Sequence, residues 1–380
     1  MPDTPFAIQA GALRQALAFT PRIISRRNTI PILSHVLLRA EAGGLTMRAT
    51  DMEVHFTTTA EGSGDLPAVT VAPGPLLTML AILPPEETVE LSIAQAGQLE
   101  LSAGATRAKL FTMPPEDMPT GGEWTPTASW TIQAGALRTL LRRPFHAIST
   151  EETRYYLRGI YLHPAEAEGQ RQLRAAATDG HRMMVAHTDM PEGLEGTMPA
   201  QIIPRATLAH LLTLLPRLPD NHPLTVRQSD TTIEITPGRA WTLRSKVIDG
   251  TFPDYGRVIP TGDGTPVEVK DAAALSRAIT LATALSLERS RPIAFSNGDG
   301  NSVRLTGRSA EEGEVSTTVP AETAAWASNR PHHTFGVQAR YMQDLCATFR
   351  TGFRMRVQDG SSPIRVEGAE GLAVLMPMRV

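Results

Sequence analysis

Apolar residues recur along the chain at two spacings. Leu76, Met79, Leu80 and Leu83 stand at i, i+3, i+4 and i+7. So do Leu208, Leu211, Leu212 and Leu215, and again Met342, Leu345, Cys346 and Phe349. Each set lays one apolar stripe along an amphipathic helix. Shorter stripes precede them at Leu13, Ala16 and Leu17, at Leu137, Leu140 and Leu141, and at Leu275, Ala278 and Ile279. The intervening segments 29–39, 45–58, 155–163, 172–187, 224–236 and 240–248 are β-branched and apolar and are bounded by Gly, Asp and Asn. They predict short strands. Strands joined by such turns predict antiparallel sheets and an α+β chain, not a parallel βαβ core.

The helix pair with its strands occurs three times, and the residues repeat as well. Ile8-Gln9-Ala10-Gly11-Ala12-Leu13-Arg14 recurs as Ile132-Gln133-Ala134-Gly135-Ala136-Leu137-Arg138, and Ala49-Thr50-Asp51 recurs as Ala177-Thr178-Asp179. Pro- and Gly-rich segments near Pro119 to Pro126 and near Gly250 to Phe252 separate the copies. The expected domains are therefore 1–125, 126–250 and 251–380, similar in plan, each with antiparallel sheets and two helices. The period is far longer than the ~20–50 residues of a solenoid unit. With complementary outer ends, a head-to-tail dimer of such a chain closes into a ring of six domains.

Composition narrows the class. At 380 residues, 41% hydrophobic and 20% charged, the chain is long enough for two or three packed domains. The lone cysteine, Cys346, excludes an intrachain disulfide and a cysteine metal cluster. Met1 to Thr20 does not read as a signal peptide, and no run approaches the ~20 apolar residues of a membrane span. The expectation is a cytoplasmic protein without membrane association.

The formal net charge of −3 by itself argues against nucleic-acid binding. Its distribution argues the other way. Predicted helices and their exits carry Arg14, Arg22, Arg26, Arg27, Arg138, Arg142, Arg143, Arg205, Arg217, Arg277 and Arg340, while carboxylates gather in connections such as Glu86-Glu87, Glu151-Glu152 and Glu311-Glu312. Basic helices with acidic loops are also an ordinary solvated surface. Recurring in three copies, they fit a surface that attracts phosphates without reading bases. No recognition-helix, zinc-finger or RNP-like motif points to sequence readout.

Ala177-Thr178-Asp179-Gly180-His181-Arg182 is the most distinctive string. It invites a catalytic reading with Asp179 and His181 as an acid–base pair. No nucleophile motif, phosphate loop or paired metal ligands accompany it, so no catalytic residue, metal or cofactor is expected. An enzyme using Asp179 and His181 stays as the alternative at this point.

Several strings together resemble the bacterial sliding clamps, the DNA polymerase III beta subunits. These are 25–33 (SRRNTIPIL), 49–53 (ATDME), 154–159 (RYYLRG), 177–182 (ATDGHR), 250–260 (GTFPDYGRVIP) and 375–380 (LMPMRV), which run through all three expected domains in order. The resemblance implies a non-catalytic processivity factor. Such a factor encircles duplex DNA as a homodimeric ring and tethers the polymerase III catalytic subunit, the clamp loader, other polymerases and repair proteins. It further implies a pocket for partner peptides formed by Leu157, Thr178, Gly180, His181, Arg182, Met183, Pro253, Arg257, Val258, Tyr341, Ser362, Val374, Met376, Pro377 and Met378, with Arg379 nearby. For DNA it points to Arg27, Tyr155 and Tyr156. Arg22, Arg142 and Arg205 join them from charge placement alone. Ala108 and Leu110 would meet Ala284 and Leu285 across the dimer joint. The chain departs from the family pattern at Gln338, Gly256, Ser290 and Ala108, which puts partner affinity and joint strength in doubt. A specialised clamp paralogue shares all of these features.

Overall fold

In the computed structural model all residues are described except 1–3, 25–28, 96, 168, 287–290 and 328–332. The chain forms two compact units. The first comprises 1–137, 191–199 and 209–247, and the second 138–190, 200–208 and 248–380.

Strands are numbered β1–β26 and helices α1–α7 in chain order among the described residues. The first unit holds two antiparallel sheets. One has the order β1 (Phe6–Gln9), β6 (Thr88–Gln95), β7 (Gln98–Ala103), β8 (Thr106–Phe111). The other runs β13 (Glu192–Gly196), β9 (Ala128–Gln133), β15 (Pro223–Gln228), β16 (Thr232–Thr236), β17 (Trp241–Lys246), β4 (Val54–Ala60), β3 (Gly44–Thr50), β2 (Val36–Glu41), β5 (Val69–Val71). Helices α1 (Ala10–Leu17) and α3 (Pro73–Ile82) pack together and bury Leu13, Leu17, Leu76 and Leu80 among Phe6, Ile8, Val36, Leu38 and Leu91. A short helix, α2 (Thr20–Ile23), follows α1.

The second unit has the matching pair of sheets. The larger runs β14 (Gln201–Pro204), β10 (Gly159–Ala167), β11 (Gln170–Thr178), β12 (Arg182–Asp189), β26 (Gly371–Leu375), β25 (Ile364–Gly368), β24 (Phe353–Val357), β18 (Thr265–Val269), β22 (Ala324–Trp326). The smaller runs β21 (Gly313–Val319), β20 (Val303–Ser309), β19 (Pro292–Asn297), β23 (Phe335–Gln338). Helices α6 (Ala272–Ala282) and α7 (Ala339–Thr348) pack together and bury Leu275, Ile279, Met342, Leu345 and Cys346. The remaining helices are α4 (Ala134–Arg142) and α5 (Arg205–Leu214), so a helix pair recurs three times along the chain, as the periodicity predicts.

Local departures have local causes. The segment expected to be strand from residue 29 begins pairing only at Val36. Pro31 lacks an N–H for a ladder and instead opens a 3-10 turn over Pro31–Ser34. Glu152–Leu157 likewise forms 3-10 structure, and the strand starts at Gly159. The run 172–187 is two strands, broken at Asp179 by a turn. In α5, Leu208, Leu211 and Leu214 are buried and Leu212 only partly so, so the buried stripe steps by three residues there.

Candidate functional site

The site begins at the turn between β11 and β12. Gly180 stands at φ +88, a left-handed conformation natural to glycine. Asp179 Oδ1 accepts the backbone N–H groups of His181 and Arg182, both at 2.9 Å. Thr178 Oγ1 accepts from Gly180 N at 3.1 Å and donates to the Arg182 carbonyl at 2.7 Å. This is an Asx turn, in which a short polar side chain substitutes for a ladder partner. The chain folds the same way before β4. There Asp51 Oδ1 accepts from Glu53 N (3.0 Å) and Val54 N (2.7 Å), and Thr50 Oγ1 donates to the Val54 carbonyl at 2.8 Å. The repeated Ala-Thr-Asp is thus a repeated turn. Asp179 aims its other oxygen at Arg182 Nε, 3.0 Å away. Among the described residues its partners are the turn and Arg182, an arrangement of structure and not of acid–base chemistry. His181 is exposed, and its carbonyl accepts from Met376 N at 2.9 Å.

Arg182 is buried, and its guanidinium is fully engaged. Nη1 reaches Asp344 Oδ2 on α7 at 2.5 Å, Nη2 donates to the His146 carbonyl, and the plane lies 4.2 Å from the Tyr341 ring centroid. A buried cation is tolerable only when paired and hydrogen-bonded in this way. Burial, with Arg182 adding to it, pushes the His146 imidazole down to about 4, so the ring is neutral near pH 7.

Register now builds a cleft. Arg182 lies opposite Leu375, and Met183 opposite Val374. The segment Phe252–Val258 crosses above this pair of strands. Phe252 is buried and stacks on Tyr161 with centroids 4.9 Å apart, and Tyr255 bonds His163 Nε2 at 2.9 Å. The resulting space, of about 190 Å³, is lined by Leu157, Thr178, Gly180, Arg182, Met183, Pro253, Asp254, Tyr255, Val258, Val374 and Met376. Val258 and Met376 are 53% and 42% exposed, so the apolar lining is open to solvent.

Several residues expected in the pocket stand beside this cleft. Tyr341 lies behind Arg182, and His181 faces outward from the turn. Arg257 turns to Asp254 at 3.0 Å. Ser362 is held by Asp359. Pro377 and Met378 follow the strand, and Met378 N bonds the Gly336 carbonyl at 2.8 Å. Arg379 lines a separate hollow on the smaller sheet with Arg304 and Arg308. Asp254 and Tyr255 line the cleft without having been expected. Their signal was the aromatic after Pro253-Asp254 in a segment that has to fold over two strands.

The residues expected at DNA divide. Arg27 lies outside the described residues, as do Arg26 and Ser290. Tyr155 is 54% exposed, whereas Tyr156 is partly buried against the core beneath the cleft, edge-on to Tyr155 at 5.7 Å. Arg22 and Arg142 are exposed at helix ends. Arg205 is exposed at the start of α5, with its guanidinium 4.8 Å from the Phe145 ring centroid. At the expected joint, Ala108 and Leu110 sit on edge strand β8, partly buried. Ala284 is exposed and Leu285 half-buried just after α6.

Comparison with known proteins places this architecture in a family. The N-terminal domain model of the DNA polymerase III beta subunit matches residues 4–121, and the central-domain model matches 131–254. The chain is 34% identical to the beta sliding clamp of Caulobacter vibrioides over 379 residues, covering 98% of this chain and 99% of the relative. It is 30% identical to that of Pseudomonas aeruginosa over 386 residues, covering 99% and 100%. Among solved structures, the sliding clamp of Bartonella birtlesii superposes with a TM-score of 0.90 at 30% identity over 100% of both chains. The beta sliding clamp of C. crescentus gives 0.91 at 32%, again over 100% of both. With matching sheets, matching turns and relatives aligned over their whole length, the chain belongs to the bacterial beta sliding clamps, the beta subunits of DNA polymerase III.

Proposed function

We propose that this chain, as a sliding clamp, closes head to tail with a second copy into a ring around duplex DNA and holds polymerases there through the cleft beside Met183 and Met376. As a clamp it is a processivity factor of DNA replication and not an enzyme. The observation that carries the reading is its resemblance to clamps along the entire chain, together with an open apolar cleft at the strand pair β12 and β26.

The chain divides, in this reading, into three consecutive domains over 1–125, 126–250 and 251–380, the first two in line with the matched models. Arg27, Arg22, Arg142, Arg205, Tyr155 and Tyr156 contact the DNA backbone, weakly and without reading sequence, so the ring slides. Leu157, Met183, Val374, Met376 and Val258 take the hydrophobic anchors of partner peptides, with Thr178, Gly180 and Arg182 beside them. Methionines suit a slot that must serve several partners. His181, Pro253 and Arg257 border its mouth, Tyr341 backs Arg182, and Ser362, Pro377, Met378 and Arg379 extend the partner surface beside it. The partners are the polymerase III catalytic subunit, the clamp loader, and other polymerases and repair proteins. Binding one of them while encircling DNA turns its rebinding into a nearly intramolecular event.

The joint pairs β8 of one copy with β21 of the other, bringing Ala108 and Leu110 to Ala284 and Leu285. Among the described residues both strands are edges of four-stranded sheets, and their charges are complementary. Arg107 and Lys109 are exposed on β8, and Glu311 and Glu312 are exposed at the start of β21, followed by Glu314, which pairs with Arg308 of its own sheet. Among the described residues no helix is long and apolar enough to cross a membrane, and the work proposed lies in the cytoplasm, with the DNA.

The test is topological. Loaded by a clamp loader onto nicked circular DNA, the protein stays bound through a salt wash and leaves when the circle is cut. Equal retention on linear DNA with free ends would count against the ring.

A further inference from the structure

The cleft at β12 and β26 has a counterpart in the first unit. There β4 pairs β17, placing His55 opposite Arg244 and Phe56 opposite Leu243. Counting three residues on from the two equivalent aspartates, Asp51 and Asp179, brings Val54 to the place of Arg182 and His55 to that of Met183. Above this strand pair runs Met118–Gly122, as Phe252–Val258 runs above the other. Met118 is buried on Ile32 and Leu33, anchoring its segment as Phe252 anchors the second. The space beneath is about 260 Å³, with Arg48, His55, Glu234 and Arg244 among its walls. The apolar pair Met183 and Val374 has thus been exchanged for an imidazole and a guanidinium.

Charge decides what fits. Arg244 gives Nη2 to the Thr120 carbonyl at 3.0 Å, and among the described residues no carboxylate lies within ion-pair distance of it. Glu234, opposite Arg244 on the next strand, turns its carboxylate to Arg227 at 3.3 Å. Arg48 holds Glu41 only at 3.5 Å. The balance inside the cleft is cationic, with one carboxylate already partnered. Gly121, at φ +79, passes so close to His55 and Arg244 that a Cβ would fall 2.6 Å and 2.4 Å from their nitrogens. The imidazole and the guanidinium thus form the cleft wall with the Gly121 backbone packed against one side of both. A long polyanion such as DNA suits poorly a concave site with a carboxylate in its wall, whereas one or two acidic side chains beside an apolar residue match its size and mixed lining.

We propose that this cleft is a second ligand site, taking an acidic segment of a partner protein with a carboxylate between His55 and Arg244. The site is separate from the one used above, and the chain remains a clamp if this one is empty in life. Burial and Arg244 hold the His55 imidazole below its ordinary range, with Asp51 and Glu53 opposing and Lys246 adding to the effect. A bound carboxylate reverses part of that depression.

The full-length protein is titrated with N-acetyl-Leu-Asp-Glu and, in parallel, N-acetyl-Leu-Asn-Gln, following the His55 ring resonances by NMR. The acidic peptide is expected to saturate at about 1 mM or below and to move the His55 titration midpoint upward. The neutral peptide should do neither. Arg244→Gln is expected to weaken binding by about tenfold. Glu234→Gln, which removes the one opposing carboxylate, is expected to tighten it, a gain that a misfolded variant would not give. No saturable shift at His55, an equal response to the neutral peptide, or tighter binding of a short DNA duplex at His55 would each overturn the proposal.

Discussion

Met376 and Val258 leave much of their apolar surface in water along a cleft whose floor is the buried Leu157, Met183 and Val374. Exposed apolar surface gathered in a concavity marks a place where something binds. Truncating Met376 to Ala removes three heavy atoms from that surface without touching the buried Met183 beneath. The expected loss is about 1–2 kcal/mol of peptide binding, or roughly tenfold in Kd, with the melting temperature unchanged. Fluorescence anisotropy with a labelled peptide carrying adjacent leucine and phenylalanine anchors measures it. Unaltered affinity would remove Met376 from the partner site. Arg182 acts differently. Its partners Asp179, Asp344, the His146 carbonyl and Tyr341 fix the end of β12, so it shapes the cleft more than it is available to a ligand.

At the scale of elements, the two Asx turns form a natural comparison. Gly180 and Met52 occupy corresponding left-handed positions, at φ +88 and φ +78. The left-handed conformation costs a side-chain-bearing residue about 1–2 kcal/mol. Gly180→Ala is therefore expected to destabilise the chain by about 1 kcal/mol, and Met52→Gly to stabilise it by somewhat less, since glycine also loosens the unfolded chain. Chemical denaturation of both variants checks the pair of opposite signs, and the same sign in both would dismiss the strain argument. These turns also mark what was legible beforehand. Periodicity located the helix pairs, because that signal is local, whereas the repeated Ala-Thr-Asp marked the repeat and not the turns, and 45–58 and 172–187 each read as one strand where the structure has two. The strand limits at Val36 and Gly159 were misjudged because 3-10 turns share the apolar composition of strands. The cleft itself depends on register between β12 and β26, residues nearly two hundred apart, which no local pattern encodes. The family resemblance supplied its position. Tyr255 was missed because only the crossing segment brings it there.

For the whole molecule, the proposed ring depends on the joint between β8 and β21. Ala108 offers little side chain on β8, so charge must contribute more than in a joint built on larger apolar groups. Reversing Arg107 and Lys109 to Glu places like charges against Glu311, Glu312 and Glu314. With exposed pairs each worth up to about 1 kcal/mol, dimer Kd is expected to rise by about tenfold or more. Analytical ultracentrifugation at low and high salt reads this out, and an unchanged Kd at low salt would exclude β8 from the joint. The same charges bear on a different hazard. A free edge strand invites any other edge to extend the sheet, the usual beginning of aggregation. Two β8 edges meet with Arg107 and Lys109 on both sides, and two β21 edges bring their glutamates together, so like edges repel. Only unlike edges attract, and a chain whose ends recognise each other in this sense either closes on itself or grows into an open filament. Solubility of the isolated subunit and fidelity of ring closure are then governed by the same few side chains.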